Sequence, residues 1–388
     1  MPLRKRERAG KNSACVSHLN VPHGKSREKT TTRRLEMNNN IIIRKFLHWK
    51  MIIVYLVVFS FLTILLATAV GNVYIPPMQI VKIFCSRMGI CDAPIQSKYE
   101  KIIFEFRMPR IFLGFLVGFA LSVAGVAMQG LFKNPMADPY IIGTASGAAV
   151  GAALSIAFIP HFLGIYSTPF FAFVCAIIPT FFVYSLSRVG GRIHLETLLL
   201  TGIAVSFLLN AVLSFFMYMM GRDVHRIMSW LFGGRLPLAD WEAVKIVFPL
   251  VLGIFPLFLF YARDLNAMLL GEETAKTLGV NVERAKATLL VLSAFVTAAA
   301  VSFSGLIGFV GLVIPHITRI LVGADHRILL PASALSGGIL LVWADTLVRF
   351  LDMALSVGEI PVGIITAFFG VPFFIYLLRR RKRGFFLM

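Results

Sequence analysis

The chain has 388 residues, of which 57% are apolar and 15% are charged, and its mean hydropathy is +0.80. This composition excludes a set of ordinary soluble domains and is typical of a protein built for lipid. The net charge of +19 does not indicate a nucleic-acid-binding protein, because it is concentrated at the two ends. Residues 1–50 hold 13 of the 38 Lys and Arg and 3 of the 19 Asp and Glu, and residues 379–383 add five cations.

The two ends predict short cytoplasmic tails around one membrane domain. Residues 1–50 contain almost no apolar run, so they cannot bury a core, and we predict a disordered tail. The membrane domain extends over residues 51–380, and residues 381–388 form a second tail. Lys and Arg clusters beside the first and last apolar segments hold both termini in the cytoplasm by the positive-inside rule.

Apolar segments of about 17 to 25 residues predict transmembrane helices. Ten segments qualify, and the fold class is therefore an all-α polytopic membrane protein. An even number of spans places both termini on one side. The predicted spans are 51–71, 109–132, 139–160, 167–187, 195–220, 244–262, 286–304, 306–321, 329–350 and 361–378.

Three groups of cations fall on the predicted outer side and break the positive-inside rule. They lie in residues 82–110, in residues 222–235 and at Arg349. Two interpretations remain open at this point. The side chains anchor at lipid headgroups by snorkelling, or they bind an acidic partner from outside.

The longest predicted inner loop, residues 263–286, is typical of short helices. Glu272 and Glu273 suit the first turn of a helix, Ala275 and Leu278 share one face, and Gly279 can adopt the left-handed conformation that ends it. The mixed acidic and basic face is unlike an interfacial helix lying on lipid. We predict a docking helix for a soluble partner.

Two spans carry polar or small residues at helical spacing. Polar atoms in lipid need partners or water, so these faces should point inward, either to a pore or to another helix. The face of the fifth span comprises Ser206, Asn210 and Ser214, and that of the tenth comprises Gly363, Thr366 and Gly370. Small residues at Gly114, Gly118, Ser122 and Gly125, and at Ala148, Gly151 and Ala152, instead predict close helix packing.

No enzyme or metal site is indicated by the sequence. Few ionisable residues lie within the spans, which argues against an ion-coupled secondary transporter. Asp345 and Arg349 are spaced as a local ion pair, and the lone His316 is typical of helix packing. Cys85 and Cys91 share one short segment, and their spacing leaves a disulfide open.

Several long motifs in order closely resemble the permease subunits of binding-protein-dependent ABC importers for iron chelates and vitamin B12, the FecCD type. The resemblance covers about residues 51–380. The motifs are RMPR at 107–110, GLFKNPMADP at 130–139, GLIGFVGLVIPH at 305–316, ADHR at 324–327 with Leu330 and Pro331, and EIPVG at 359–363.

The resemblance implies a type II ABC importer permease fold that works as a homodimer in the cell membrane. It implies two ATP-binding cassette subunits that use ATP and Mg²⁺ and one extracytoplasmic substrate-binding protein. The location of the net charge requires no nucleic acid as a partner, and we expect no cofactor bound by this chain. Glu272, Glu273, Ala275, Leu278 and Gly279 match the family's coupling helices. Arginines at the positions of Arg107, Arg110 and Arg349 dock the binding protein. The fifth and tenth spans line the pathway.

The expected mechanism is alternating access driven by the separate ATPase, so the chain itself is not an enzyme. Residues His194, Leu195, Glu196 and Thr197 precede or begin the fifth span on the inner side, where we predict a cytoplasmic gate. Iron chelates, siderophore or haem, are the first expectation for the cargo. Cobalamin and oxyanions such as molybdate remain open, and an ion-coupled secondary transporter is the alternative of a different class.

Overall fold

The structure is a computed structural model, and it describes residues 25–71, 73, 75–87, 89, 97–159, 162–221, 224–355 and 358–385. The chain divides into two units, Met1–Met51 and Ile52–Met388. Cys91 lies outside the described residues, and Cys85 has a free thiol.

The regular secondary structure in the described part of the chain is helical apart from one small hairpin. The strands β1 (Arg188–Val189) and β2 (Arg192–Ile193) pair antiparallel. A π-helical turn at Ile102–Arg107 joins α3 to α4, and short 3₁₀ turns cover Pro139–Ile142, Gly164–Tyr166 and Leu236–Leu238. The helices are α1 (Lys25–Ala69), α2 (Pro77–Arg87), α3 (Ser97–Lys101), α4 (Met108–Leu131), α5 (Thr144–Phe158), α6 (Ser167–Ser187), α7 (Leu195–Met220), α8 (Val224–Leu231), α9 (Trp241–Phe260), α10 (Ala262–Leu269), α11 (Glu272–Thr277), α12 (Val282–Ser304), α13 (Val310–Val322), α14 (His326–Leu355) and α15 (Val362–Phe385).

The all-α membrane fold predicted from composition is confirmed. Within the described ranges, seven helices are long and apolar enough to cross a membrane, and Thr144–Phe158, Val310–Val322 and Val362–Tyr376 are shorter apolar helices. Each of the ten predicted spans overlaps one of these helices.

The first tail differs from the sequence prediction, because helix α1 begins at Lys25 and residues 25–50 are helical where we predicted disorder. Helix α15 continues through residue 385, and the second tail, residues 381–388, stays a prediction. Once an apolar span has formed, each added residue extends the helix without the cost of a new nucleus. Arg, Lys and Glu are good helix formers, and composition alone does not show this continuation.

Helix α4 lies at the centre of the fold and is buried along almost its whole length. The predicted small-residue face explains how other helices come so close to it. A methyl group at Gly118 would overlap the backbone of Gly337 in α14, and one at Gly125 would overlap the carbonyl of Gly311 in α13. Gly151 of α5 approaches the Phe171 carbonyl of α6 in the same way. The packing prediction for these faces is confirmed.

Two of the sequence motifs meet in the folded chain. Asp138, in the segment after α4, accepts the backbone N–H of Tyr140 and starts the 3₁₀ turn. The Tyr140 hydroxyl then donates to the carbonyl oxygen of Ile307 at 2.9 Å. Phe309, beside that contact, has a positive φ of 68° and precedes the first residue of α13. The contact fixes the start of α13 against the loop after α4.

Candidate coupling and translocation site

Helices α10 and α11 are the short helices that the sequence predicts for residues 263–286. Ala275 is fully buried and anchors α11, whereas Leu278 is 63% exposed and Leu270, in the turn before α11, is 70% exposed. The Glu273 side chain is 87% exposed and contacts Lys276. Gly279 has a φ of +86° and donates to the carbonyl of Lys276, which ends the helix. The segment therefore presents a mixed apolar and acidic surface.

A buried lysine joins this segment to the rest of the chain. Lys286 in α12 is 4% exposed. Its Nζ donates to Glu272 Oε2 at 2.8 Å, to Glu283 Oε1 at 3.4 Å and to the carbonyl oxygen of Ile193 at 3.5 Å. Glu283 Oε2 also accepts the backbone N–H of Ile193 at 2.7 Å. One ammonium group thus links α11, α12 and β2.

The predicted gate residues follow that hairpin directly. His194 precedes α7, and Leu195, Glu196 and Thr197 form its first turn. His194 and Glu196 are exposed, and Leu195 and Thr197 are half-buried. Because Ile193 accepts and donates hydrogen bonds with Lys286 and Glu283, these four residues follow directly after a residue that is held by α12.

The three arginines predicted to dock a binding protein are buried and bonded within the chain. Arg107, Arg110 and Arg349 are 7%, 7% and 4% exposed. Arg110 contacts Asp345 at 2.8 Å and Glu359 at 3.0 Å. Burial of ions requires such pairing, and the docking role of these three arginines stays a prediction.

The other two arginines satisfy backbone carbonyls at the end of α1. Arg107 donates to the carbonyls of Thr68 and Val73. Arg349 donates to those of Ala67 and Val70. The Arg349 Nε lies 3.1 Å from Asp345 Oδ2, which confirms the local ion pair predicted for α14.

The polar face of α7 points away from the chain's own core. Asn210 and Ser214 are exposed, Ser206 is half-buried, and the Ser214 hydroxyl donates to the Asn210 carbonyl. The Asn210 side chain lies among exposed apolar residues such as Phe207 and Leu208. A polar amide at this depth needs water or a partner rather than lipid.

The small face of α15 is instead buried inside the chain. A methyl group at Gly363 would contact the Phe232 carbonyl, and one at Gly370 would contact the Phe309 ring. Thr366 is 7% exposed and donates to the Gly363 carbonyl. Of the two interpretations left open for this face, the geometry favours helix contact, and its pathway role stays a prediction.

A model of the FecCD transport family matches residues 56–380. The chain belongs to this family.

Several FecCD proteins are similar over most of the chain. The cobalamin import system permease protein BtuC of Halobacterium salinarum is 49% identical over 75% of this chain and 78% of its own length. The hemin transport system permease protein HmuU of Yersinia pestis is 43% identical over 72% and 83%. The Fe(3+) dicitrate transport system permease protein FecD of Escherichia coli is 39% identical over 76% and 91%.

A solved structure supports the same assignment. It is described as an inward-facing conformation of a metal-chelate type ABC transporter, and it superposes with a TM-score of 0.73 at 30% identity. The match covers 85% of this chain and 99% of that one. As a FecCD protein, the chain is a multi-pass transport component that works with an ATPase and a binding protein.

The FecCD fold of this chain also contains two cavities that the sequence did not indicate. A cleft of about 1000 Å³ lies between α5, α8 and α9 and includes Tyr166, Arg226, Arg235 and Asp240 in its lining. A smaller apolar cavity of about 350 Å³ lies between α13, α14 and α15, beside Thr366. Both depend on helix packing between distant parts of the chain.

Sequence reasoning missed three charged residues of the site, namely Lys286, Glu283 and Glu359. Lys286 is the first residue of a predicted apolar span and has Glu283 three positions earlier, which is a recognisable signal. Glu359 lies inside the EIPVG motif, but its partner Arg110 is 249 residues away in sequence. Only the fold brings that pair together.

Proposed function

We propose that this chain is the membrane-spanning permease subunit of an ATP-driven importer that moves an iron chelate, siderophore or haem, across the cytoplasmic membrane. The family match over residues 56–380 carries the proposal. The named hemin and Fe(3+) dicitrate relatives support the cargo class. Both termini lie in the cytoplasm, as the distribution of Lys and Arg favours.

The ATPase subunits bind the surface formed by Leu270, Glu273 and Leu278. Two exposed leucines beside an exposed carboxylate are suited to a protein groove rather than to lipid headgroups, because anionic headgroups repel the carboxylate. Nucleotide binding to the ATPases moves α10 and α11, and alternating access follows.

Two copies of the chain form the pathway between them, with α7 as its main lining. The support is the exposed amide of Asn210, which requires a polar environment inside the membrane. A pathway at the twofold axis of a dimer provides that environment for both copies.

The binding protein docks on the side where Arg107, Arg110 and Arg349 lie. Glu359 occupies the most accessible edge of this cluster, because its side chain is 38% exposed while that of Arg110 is 8% exposed. An acidic side chain of the partner reaches Arg110 by replacing Glu359.

The variant Glu359→Gln frees this position, and we expect it to tighten docking of the binding protein by about fivefold at low ionic strength, with the difference reduced at high salt. Unchanged or weaker docking, measured by surface plasmon resonance at two salt concentrations, would contradict the exchange.

Cobalamin is the second candidate cargo. The relative named for cobalamin import is 49% identical, more than either iron-chelate relative described above. Ferric chelates and cobalamin are both bulky metal complexes, and in importers of this type the binding protein meets the cargo first.

Uptake by proteoliposomes tests both the class and the cargo. The chain is reconstituted with its ATPase and binding protein, and uptake of radiolabelled ferric siderophore, haem, cobalamin and molybdate is measured separately. We expect ATP-dependent uptake of a ferric chelate, while cobalamin uptake alone would select the second candidate and molybdate uptake alone would reject both. Uptake that ignores ATP and follows a proton or sodium gradient would reject the importer class.

A further inference from the structure

We infer that Lys286 is the positioning residue through which movement of α11 reaches the hairpin β1–β2 and, directly after it, the proposed gate at the start of α7. The inference rests on the proposed docking of the ATPase at α10 and α11. It goes beyond that docking by naming the connection inside the chain.

The contacts of Lys286 use all of its hydrogen-bonding capacity. An ammonium group has three donors, and three acceptors lie within 3.5 Å of Nζ, on Glu272, Glu283 and Ile193. Each acceptor belongs to a different element, namely α11, α12 and β2. A displacement of any one element therefore removes a partner from a buried charge.

Burial makes this connection stiff. The Lys286 side chain is 5% exposed, whereas those of Glu272 and Glu283 are 37% and 29% exposed. A buried ammonium that loses a carboxylate is strongly destabilised. Two outcomes are therefore open when α11 moves. Either Glu272 keeps its contact with Lys286, and α12 and β2 move together with α11, or the contact between Glu272 and Lys286 breaks.

At the hairpin end of the connection, Ile193 is hydrogen-bonded through both its N–H and its carbonyl. Glu283 Oε2 accepts the N–H of Ile193, and the carbonyl of the same residue accepts from Lys286. Ile193 is itself 4% exposed and pairs with Arg188 across the hairpin. His194 and α7 follow immediately, so a shift of Ile193 is transmitted to the proposed gate.

The test compares Lys286→Met and Glu272→Gln with Lys245→Met. Met keeps much of the volume of Lys without its charge, and Glu272→Gln weakens only the link to α11. Lys245 makes a similarly short carboxylate contact, 2.6 Å to Glu242 against 2.8 Å from Lys286 to Glu272, but on the exposed surface of α9. It is a matched control for loss of a lysine ion pair.

Three quantities are measured. Retention of the ATPase is measured on the purified complex. The ferric siderophore transported per ATP hydrolysed, and the mobility of a nitroxide at Val189→Cys, which is 60% exposed on the hairpin, are measured on the full complex in proteoliposomes. In the parent protein we expect the nitroxide spectrum to change with ATP, Mg²⁺ and vanadate.

We expect Lys286→Met and Glu272→Gln to retain the ATPase, to lose the nucleotide response of the hairpin and to lower cargo per ATP about tenfold, a size typical of coupling energies. Lys245→Met should match the parent. A normal hairpin response with normal transport in both variants would overturn the inference. If the parent chain itself retains no ATPase, the proposed docking fails instead. Should Lys286→Met not fold, Glu272→Gln decides alone.

Discussion

At the scale of single residues, the close approach of Gly125 to Gly311 sets the position of α13 against α4. Any side chain at Gly125 would overlap the Gly311 carbonyl, which is backbone and cannot rotate away. Gly253 in α9 has no atom within 4 Å of an added methyl group. Both glycines lie inside helices, but only Gly125 is packed tightly against a neighbouring backbone.

We expect Gly125→Ala to destabilise the protein by about 1 to 3 kcal/mol, as overpacking of a tight core does. Gly253→Ala should be neutral or slightly stabilising, because Ala favours a helix by about 0.5 to 1 kcal/mol over Gly. Thermal unfolding of the purified protein in detergent measures both. Equal melting temperatures for the two variants would contradict the packing explanation.

Two aspartates that begin helical turns have opposite electrostatics. Desolvation raises the pKa of Asp138 to about 6, and the N–H bond from Tyr140 offsets only part of this effect. At Asp325, the hydrogen bond from the Arg327 side chain is the largest cause that holds the pKa well below its usual range, and Asn266 adds to it. Both loops lie outside the helices that are long enough to span a membrane.

Exchange of each aspartate for asparagine should therefore have opposite effects. The raised pKa of Asp138 means that stability is lost as the pH rises from about 4 through 6, so Asp138→Asn should raise the melting temperature at pH 7 and leave it unchanged at pH 4. The lowered pKa of Asp325 contributes stability above about pH 4, so Asp325→Asn should lower the melting temperature at pH 7. Shifts of the same sign for both variants at pH 7 would refute these assignments.

At the scale of elements, one carboxylate joins α4 to α14. Asp345 is 2% exposed and faces both Arg110 and Arg349, so its removal leaves two buried guanidinium groups short of negative charge. Glu359 contacts only Arg110 and lies closer to solvent. The two carboxylates allow a comparison of a buried and a rim ion pair around one arginine.

We expect Asp345→Asn to cost about 3 to 5 kcal/mol, as for a broken buried pair. Glu359→Gln should cost about 1 kcal/mol or less, because solvent screens that pair. Unfolding in detergent, followed by circular dichroism, measures both variants. A cost for Glu359→Gln as large as that for Asp345→Asn would show that burial does not determine the strength of these pairs.

Elements with a local signal could be predicted from the sequence. Apolar length locates the spans, and the spacing of Gly118 and Gly125 indicates the packing face of α4. The Asp345 and Arg349 pair was predictable because its residues are four apart on one helix. The pairing of Arg110 with Asp345 and Glu359 was not, since residues more than 230 positions apart have no shared pattern in a single sequence.

At the scale of the whole molecule, the exposed polar face of α7 indicates a surface that contacts water, whereas an exposed apolar surface indicates contact with lipid. Asn210 is exposed on α7, and Phe248 is 52% exposed on α9. Both would be on the outside of a single copy, but only Asn210 carries a group that requires water or a polar partner.

We expect a cysteine at Asn210 to react with a charged, membrane-impermeant thiol reagent in the assembled transporter. A cysteine at Phe248 should stay unmodified, because lipid covers it. Both variants are made after replacement of the four native cysteines, and labelling is followed by mass spectrometry. Protection of position 210 in every nucleotide state would remove α7 from the pathway.

The candidate site could be predicted in part, because some of its residues form a local sequence pattern, as the spans do. The proposed coupling segment has a local pattern of Glu272, Glu273 and Gly279, and the structure has a short helix there that ends at a glycine with positive φ. The connection through Lys286 to Ile193 crosses 93 residues. A single sequence shows a lysine at the edge of a span but not the hairpin carbonyl that it will meet.

The ion cluster around Asp345 also has a consequence for how the chain is made. Arg110 precedes its carboxylate partner by 235 residues, and a ribosome adding about 5 to 20 residues per second needs roughly 10 to 50 s to cover that distance. During that interval the N-terminal end of α4 carries a cation that has no counter-charge from α14. Biogenesis of the N-terminal half therefore requires water, lipid headgroups or the insertion machinery to shelter this arginine until the ninth predicted span emerges.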